Sequence, residues 1–449
     1  MKSFLVLLSL LWIGSCASSK YELVRLDKEL GLTQEIKQQY TADINWWEKY
    51  GNSELNTLVQ TALVNNLDYL KAAVNIQKEL YNLNLSTSDL FPTFYGSLGA
   101  SSQRQVYTSD SFSNNFSGEL GLNYEVDLYG KIRDARSVKE FEYKATVMDK
   151  EAARLSLVNS VVDLYFNLEY LSNSIDLTKS NIQAYKNIHT IVQEKYTSGK
   201  VDELDLTQAK QSLLAEENKL LTLETNFREM EQSLRNILNM SPQDRLDLQY
   251  GNILEQKNLG VNMEVPVAVL AQRPDLLAEQ YRLEKAFKNI KMEEKGWYPS
   301  LSLKGAIATS SSKARTTFDF PYILGSVSLE LPFLDWTKVK NNVKISEADY
   351  QIALLDFKET LTQALNEVAY YYFAYSRSLD VYENTLENVQ NTKKITGYYE
   401  IRYLNGKSEF KDLLQAVNSE NSTKKDLIQQ KYQIIKYENY IYKAMNGKY

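Results

Sequence analysis

The chain has 449 residues, a formal net charge of −6, one histidine and one cysteine. A mildly acidic chain without clusters of lysine and arginine is not expected to bind nucleic acid. The single cysteine excludes a disulfide within the chain.

The first residues have the pattern of a secretory signal. A positively charged start precedes an apolar run over residues 4–13, and two small residues lead to Cys16. This run is too short to span a bilayer as a stable helix. The junction resembles a bacterial lipobox, whose cysteine is lipidated, although an ordinary signal peptide containing a cysteine is the alternative. We expect a signal peptide over residues 1–15, lipidation of Cys16 and a lipidated extension over residues 16–53.

Most of the remaining chain consists of an internal sequence repeat, in which the two copies are related by a shift of 207 residues. The shift aligns Pro92 with Pro299, Gly118 with Gly325, Tyr196-x-x-Gly199-Lys200 with Tyr403-x-x-Gly406-Lys407, and Asp205-Leu206-x-Gln208-Ala209 with Asp412-Leu413-x-Gln415-Ala416. We predict two structurally equivalent repeats over residues 54–242 and 261–449, joined by a connector over residues 243–260.

Each repeat has the pattern of a helix, a β-hairpin, a very long helix and a last helix. The predicted hairpins cover residues 91–127 and 298–334, and the predicted helices after them cover residues 131–196 and 203–239, then 338–403 and 409–445. Helices of more than sixty residues exceed the ordinary globular range, so an elongated bundle or coiled coil is expected. From the helices alone, a structural coiled coil remains an alternative.

The hairpin segments alternate between apolar and polar residues. Phe116, Gly118 and Leu120 alternate with Ser117 and Glu119, and the second hairpin repeats this pattern. This period is typical of barrel strands that face lipid on one side and water on the other, although a half-buried strand in a soluble sheet shows it too. Four strands per chain are too few to close a barrel, and open edges are not tolerated in lipid. Several chains are therefore expected to contribute strands.

Together these features resemble the TolC-like outer-membrane efflux proteins, in their lipid-anchored branch. The residues that carry the resemblance are Trp46-Trp47 with Leu55 and Ala62-Leu63, the stretch from Tyr124 to Lys131, the stretch Arg273-Pro274-Asp275-Leu276-Leu277, and the two turns around Gly199 and Gly406. The resemblance covers nearly the whole chain after Cys16, and its specificity comes from the order and constant spacing of these motifs.

The resemblance implies a mostly α-helical homotrimer with a twelve-stranded transmembrane β-barrel and a long periplasmic α-helical barrel. It implies a lipid-anchored channel of the outer membrane that passively conducts drugs, metals or other small molecules. The implied partners are outer-membrane lipid, a periplasmic adaptor protein and an inner-membrane pump, with a proton-driven pump of the resistance–nodulation–division (RND) type favoured. The exit duct of a type I protein secretion system is an alternative.

The resemblance also implies a site at the two helix turns. Gly199, Lys200, Gly406 and Lys407 are expected at the periplasmic tips, where an adaptor docks. Tyr403 and Asp205 are expected to contact each other and hold a gate shut, with Asp412 as an inward-facing ring of carboxylates. Two positions depart from the family pattern, because Ser408 replaces an arginine and Gln415 replaces an aspartate. An exposed carboxylate near a helix start is the alternative for Asp205 and Asp412.

An enzyme and a structural lipoprotein are two further classes of protein to compare with the sequence. The lone histidine, His189, lies in a helical pattern, and the sequence has no catalytic triad, no paired metal ligands and no G-x-x-x-x-G-K loop. We therefore expect no enzymatic activity, no metal and no cofactor. A periplasmic adaptor or structural coiled-coil lipoprotein is a second alternative, which predicts no membrane-spanning strands.

Overall fold

The computed structural model describes residues 23–40, 45–107 and 111–447. The expected signal peptide and Cys16 lie outside the described residues. The helices are α1 Leu26–Glu29, α2 Gln34–Gln39, α3 Ser53–Asn65, α4 Leu67–Ser88, α5 Lys131–Thr197, α6 Glu203–Ile237, α7 Pro274–Glu294, α8 Trp336–Leu404 and α9 Phe410–Ala444. The strands are β1 Thr93–Gln103, β2 Ser113–Val126, β3 Ser300–Ser311 and β4 Tyr322–Glu330. The predicted mostly helical fold with a duplicated helix–strand–strand–long helix–helix unit is confirmed.

Two compact units make up the described chain. One contains the sheet, with residues 83–142 and 280–354 together with the described residues up to Glu29; the other contains residues 30–82, 143–279 and 355–449, as far as these are described. None of the helices in the described ranges combines the length and apolarity that crossing a membrane requires.

The sheet is antiparallel and joins the two repeats. Its order is β1-β2-β3-β4, so β2 of the first hairpin pairs with β3 of the second, with Leu120 opposite Ile307. Large apolar side chains on one face of this sheet are open to the surroundings: Leu98 is 81% exposed, Leu120 66% and Ile323 85%. The predicted alternation therefore produces an apolar face that the described residues of this chain do not cover.

The core of the helical unit forms around the Trp46-Trp47 motif. Both indoles are almost fully buried, and Trp46 stacks on Tyr442 with ring centroids 5.1 Å apart and planes 3° apart. Burial of large aromatic rings contributes strongly to packing. The residues before α3 are thereby packed against α9, at the other end of the chain.

The connector between the repeats is held by polar groups of the long helices. The Asn173 side chain of α5 donates to the Gly251 carbonyl at 2.8 Å and accepts from the Ile253 backbone N–H at 3.0 Å. The fully buried Glu438 carboxylate of α9 accepts from the backbone N–H groups of Leu259 and Gly260. These bonds satisfy backbone groups of a segment that has little regular structure of its own.

Candidate functional site at the two helix turns

The two glycine turns reverse the long helices by the same backbone geometry. Gly199 has φ of 69° and Gly406 has φ of 68°, a left-handed conformation that glycine adopts without steric cost. In the first turn the Lys200 N–H donates to the Lys195 carbonyl at 2.9 Å, and in the second the Lys407 N–H donates to the Arg402 carbonyl at 2.8 Å. Such six-to-one bonds close a helix end. Both glycines and both following lysines are exposed.

Beside these turns an apolar cluster, here called the tip cluster, joins the two helical hairpins. Its buried members are Val192, Ala209, Tyr403, Phe410 and Leu413. Val192 and Ala209 come from the α5–α6 hairpin, and the other three come from the α8–α9 hairpin. The rings of Tyr403 and Phe410 lie 5.7 Å apart at 54°. Separating the hairpins at this level would expose these side chains to water.

The repeats differ at this cluster. The 207-residue shift aligns Tyr196 with Tyr403, yet Tyr196 is 38% exposed and Tyr403 is 6% exposed. The same shift aligns the exposed Glu203 with the buried Phe410. Sequence reasoning missed Phe410, although the replacement of an acidic residue by an aromatic one between aligned repeats was a readable signal.

Tyr403 and Asp205, the expected gate pair, lie near each other without a hydrogen bond. Burial raises the pKa of the Tyr403 hydroxyl, and the negative charge of Asp205 raises it further. The buried Tyr403 hydroxyl has no hydrogen-bond partner among the described residues. Burial also raises the pKa of Asp205, with additional contributions from Asp202 and Glu409.

A lysine that sequence reasoning missed contacts the Tyr403 ring instead. The Lys195 Nζ atom lies 3.7 Å from the ring centroid, within the range of a cation–π interaction. Burial and the charge of Lys200 lower the pKa of Lys195, while Asp205 acts in the opposite direction. The sequence offered little signal for this contact, because Lys195 belongs to the other repeat.

The remaining predicted positions surround this cluster. Asp412 is half-buried in the first turn of α9, and Gln415 is exposed. The Ser408 hydroxyl is buried and has no hydrogen-bond partner in the described ranges. Groups of three or more histidine, cysteine, aspartate or glutamate side chains that could hold a metal are not found among the described residues.

A duplicated unit of long helical hairpins with a small antiparallel sheet is a fold found in solved outer-membrane efflux channels. A family model described as outer membrane efflux protein matches residues 58–240 and 265–447. The chain belongs to the outer membrane efflux protein family and is an outer-membrane channel component of an efflux system. Its family and fold are those of channels rather than of enzymes.

Individual relatives and a solved structure agree with this assignment. The chain is 40% identical to an uncharacterised protein of Haemophilus influenzae over 93% of this chain and 92% of that protein. It is 38% identical to toxin and drug export protein A of Aggregatibacter actinomycetemcomitans, over 93% of this chain and 91% of that protein. The Campylobacter jejuni CmeC outer membrane channel is similar with a TM-score of 0.82 and 25% identity, covering 96% of this chain and 93% of that one.

Proposed function

We propose that three copies of this chain form a channel-tunnel that passively conducts drugs, metals or other small molecules out of the cell. The observation that carries this proposal is the four-stranded sheet with an uncovered apolar face. Energy for transport would come from an inner-membrane pump, of the RND type, which reaches the channel through a periplasmic adaptor. The chain itself would bind no cofactor and catalyse no reaction.

The sheet supports both membrane insertion and oligomerisation. Every residue of β1 and of β4 is exposed, and no strand of the described chain pairs with the outer edges of these two strands. Backbone N–H and C=O groups at an open edge cannot be left unpaired in lipid. Pairing β1 of one copy with β4 of the next satisfies both edges, and a ring of three copies gives the twelve-stranded barrel.

The long helix α8 supports the same assembly. It carries a series of apolar side chains that are largely exposed in the single chain, namely Leu355 at 65%, Tyr370 at 57%, Phe373 at 63%, Tyr398 at 69% and Ile401 at 62%. An exposed apolar surface of this kind on one helix indicates an interface. We assign it to contacts with a neighbouring copy in the helical barrel.

The two helix turns provide the sites for adaptor docking and for the gate. We assign adaptor docking to Gly199, Lys200, Gly406 and Lys407, since these exposed turns present backbone groups and positive charge. We assign the gate to Tyr403 and Asp205, with Asp412 as the carboxylate ring, because the tip cluster joins the two hairpins where they turn.

Lipidation of Cys16 and the domain division remain part of the proposal. The repeats would cover residues 54–242 and 261–449, in keeping with the double match of the family model.

The name of the 38% identical relative includes toxin as well as drug export. The second candidate function is therefore that of the outer-membrane exit duct of a type I protein secretion system.

Membrane integration is expected to survive loss of the lipid anchor. A chain with Cys16→Ala behind a signal peptide that does not direct lipidation should stay in the membrane pellet after alkaline extraction and should enter solution in detergent. The reason is that the exposed apolar sheet face prefers lipid to water. Release without detergent would contradict the channel and favour a structural coiled-coil lipoprotein. The unmodified lipoprotein, extracted in parallel, is the control.

Disulfide cross-linking between copies is expected to end at the trimer. In a Cys16→Ala background, Ser97→Cys in β1 is combined in turn with Ser326→Cys, Ser328→Cys or Glu330→Cys, three positions on one face of β4. One of these pairs should bring thiols on facing edges of neighbouring copies within the separation that a disulfide can span. Oxidation should give dimer and trimer bands on denaturing gels and no larger species. Each single-cysteine variant serves as a control for random collision. An open-ended ladder, or a monomer band alone for every pair, would refute the closed ring of three.

A further inference from the structure

We propose that Lys195 is a gate residue: it holds the two helical hairpins together at their tips by contacting the face of the Tyr403 ring. This role rests on the proposed channel function and refines its gate. It assigns the closing contact to the aromatic ring rather than to the tyrosine hydroxyl.

The contact crosses from one hairpin to the other. Lys195 lies near the end of α5 in the first hairpin, and Tyr403 lies near the end of α8 in the second. The ammonium nitrogen is 3.7 Å from the ring centroid, and the ring is 6% exposed. Attraction between a cation and the negative face of an aromatic ring strengthens as water is removed. Any movement that separates the hairpins must break this contact.

The hydroxyl group of Tyr403 does not provide the contact that holds the tips closed. It is buried and has no hydrogen-bond partner among the described residues, so Asp205 does not bond to it. A buried hydroxyl without a partner opposes the packed state instead of stabilising it. The ring face therefore provides the attraction between the hairpins.

Asp205 acts on this contact through Lys195. The carboxylate and the ammonium group belong to the same hairpin, and the negative charge of Asp205 favours the charged form of Lys195, against the opposing charge of Lys200. Cation–π attraction requires that charged form. Asp205 thus adds a favourable negative charge near the contact without bonding to the Tyr403 hydroxyl.

The repeat provides a matched comparison. The 207-residue shift aligns Lys195 with Arg402 and Tyr403 with Tyr196. The Arg402 guanidinium donates to the Lys407 carbonyl of its own turn at 3.2 Å, and Tyr196 is 38% exposed. The equivalent residues of the other repeat therefore do not form the same bridge within the described chain, which makes Arg402 and Tyr196 suitable controls.

The test is single-channel recording of the full-length protein in planar lipid bilayers. Lys195→Met is expected to raise the ratio of open to closed time at least about threefold to fivefold, the size expected from losing one partly exposed cation–π contact, and by more if the three copies open together. Arg402→Met should remain at the wild-type ratio. Lys195→Arg should also remain there, because a guanidinium stacks on aromatic rings as well.

Two substitutions of the tyrosine separate the ring from the hydroxyl. Tyr403→Phe keeps the ring and should gate like the wild type or stay closed for longer, whereas Tyr403→Leu should open the channel. Adding Lys195→Met to Tyr403→Leu should produce no further opening, because the partner is already absent.

Three results would overturn the role of Lys195. The first is a Lys195→Met channel that gates like Arg402→Met, and the second is a Tyr403→Phe channel that opens as much as Tyr403→Leu. The third is full additivity of Lys195→Met and Tyr403→Leu. A wild-type protein that forms no channels would instead overturn the proposed function itself, and the role of Lys195 with it.

Discussion

Replacing Tyr403 and Asp205 together with alanine is expected to shift the channel strongly towards its open state. Tyr403 is the largest side chain shared between the hairpins in the tip cluster, and its loss removes about 2 kcal/mol of apolar burial. The loss of Asp205 removes the charge that favours protonation of Lys195. A change of about 2 kcal/mol in each copy corresponds to an increase of at least about thirtyfold in the ratio of open to closed time. Single-channel recording in planar lipid bilayers measures this ratio.

The aligned residue of the first repeat is the control for this experiment. Tyr196→Ala removes an equivalent but exposed ring, so its channel should gate like the wild type. If the double variant also gates like the wild type, the gate does not lie in the tip cluster. The sheet and the trimer would be unaffected by that outcome, because neither depends on these side chains.

A second large effect is expected from Glu169→Gln, which should stabilise the protein above neutral pH. Glu169 of α5 is 2% exposed and accepts a hydrogen bond from the Gly251 backbone N–H, while its second carboxylate oxygen has no partner among the described residues. Burial raises the pKa of Glu169 from 4.5 to about 7. The folded protein therefore binds one more proton than the unfolded chain between these two pH values.

The sign follows from this difference in bound protons. Below about pH 4.5, Glu169 is protonated in both the folded protein and the unfolded chain. Between about pH 4.5 and 7 it ionises in the unfolded chain but stays protonated in the folded protein, so the free energy of unfolding falls progressively. Above that pH the wild type has lost up to about 3 kcal/mol of its free energy of unfolding. A neutral glutamine avoids this loss, so the variant should be more stable than the wild type at about pH 8.5 and similar at about pH 4.5.

Thermal unfolding of the detergent-solubilised protein at these two pH values provides the measurement. The exposed Glu224 of α6 offers a matched control, since Glu224→Gln removes the same charge from a hydrated position. Its unfolding midpoint should follow that of the wild type at both values. Parallel pH profiles for Glu169→Gln and the wild type would mean that Glu169 titrates normally in the folded protein.

The periodicities of the sequence determined most of the secondary structure. The long apolar pattern without proline predicted a helix over residues 131–196, and α5 spans Lys131–Thr197. Alternation in the hairpins predicted strands, and a glycine at each turn predicted a helix reversal. These features depend on near neighbours in the chain, through side-chain direction, propensity and glycine conformation. A family resemblance could therefore be identified from them together with the repeat.

The duplicated sequence also determined that two equivalent units exist, but not how they pair. The hairpins alone did not indicate that β2 would lie beside β3, with Leu120 opposite Ile307. The neighbouring strands β2 and β3 are separated in the chain by helices α5, α6 and α7, and their pairing depends on how these helices pack. The sequence likewise showed the connector only as an irregular segment. In the structure the side chains of Asn173 and Glu438 bind its backbone.

At the tips, the sequence by itself determined two glycine turns with aligned tyrosines, whereas the tertiary structure decided that these tyrosines differ. Tyr403 is buried because Phe410 packs beside it and Val192 and Ala209 meet it from the other hairpin. Tyr196 has Glu203 at the position aligned with Phe410, and it remains partly exposed. Burial and the contact with Lys195 depend on side chains brought together from distant parts of the chain. Local sequence patterns do not show which residues from distant segments come into contact, although the change from Glu203 to Phe410 between aligned positions indicated that the two tips differ.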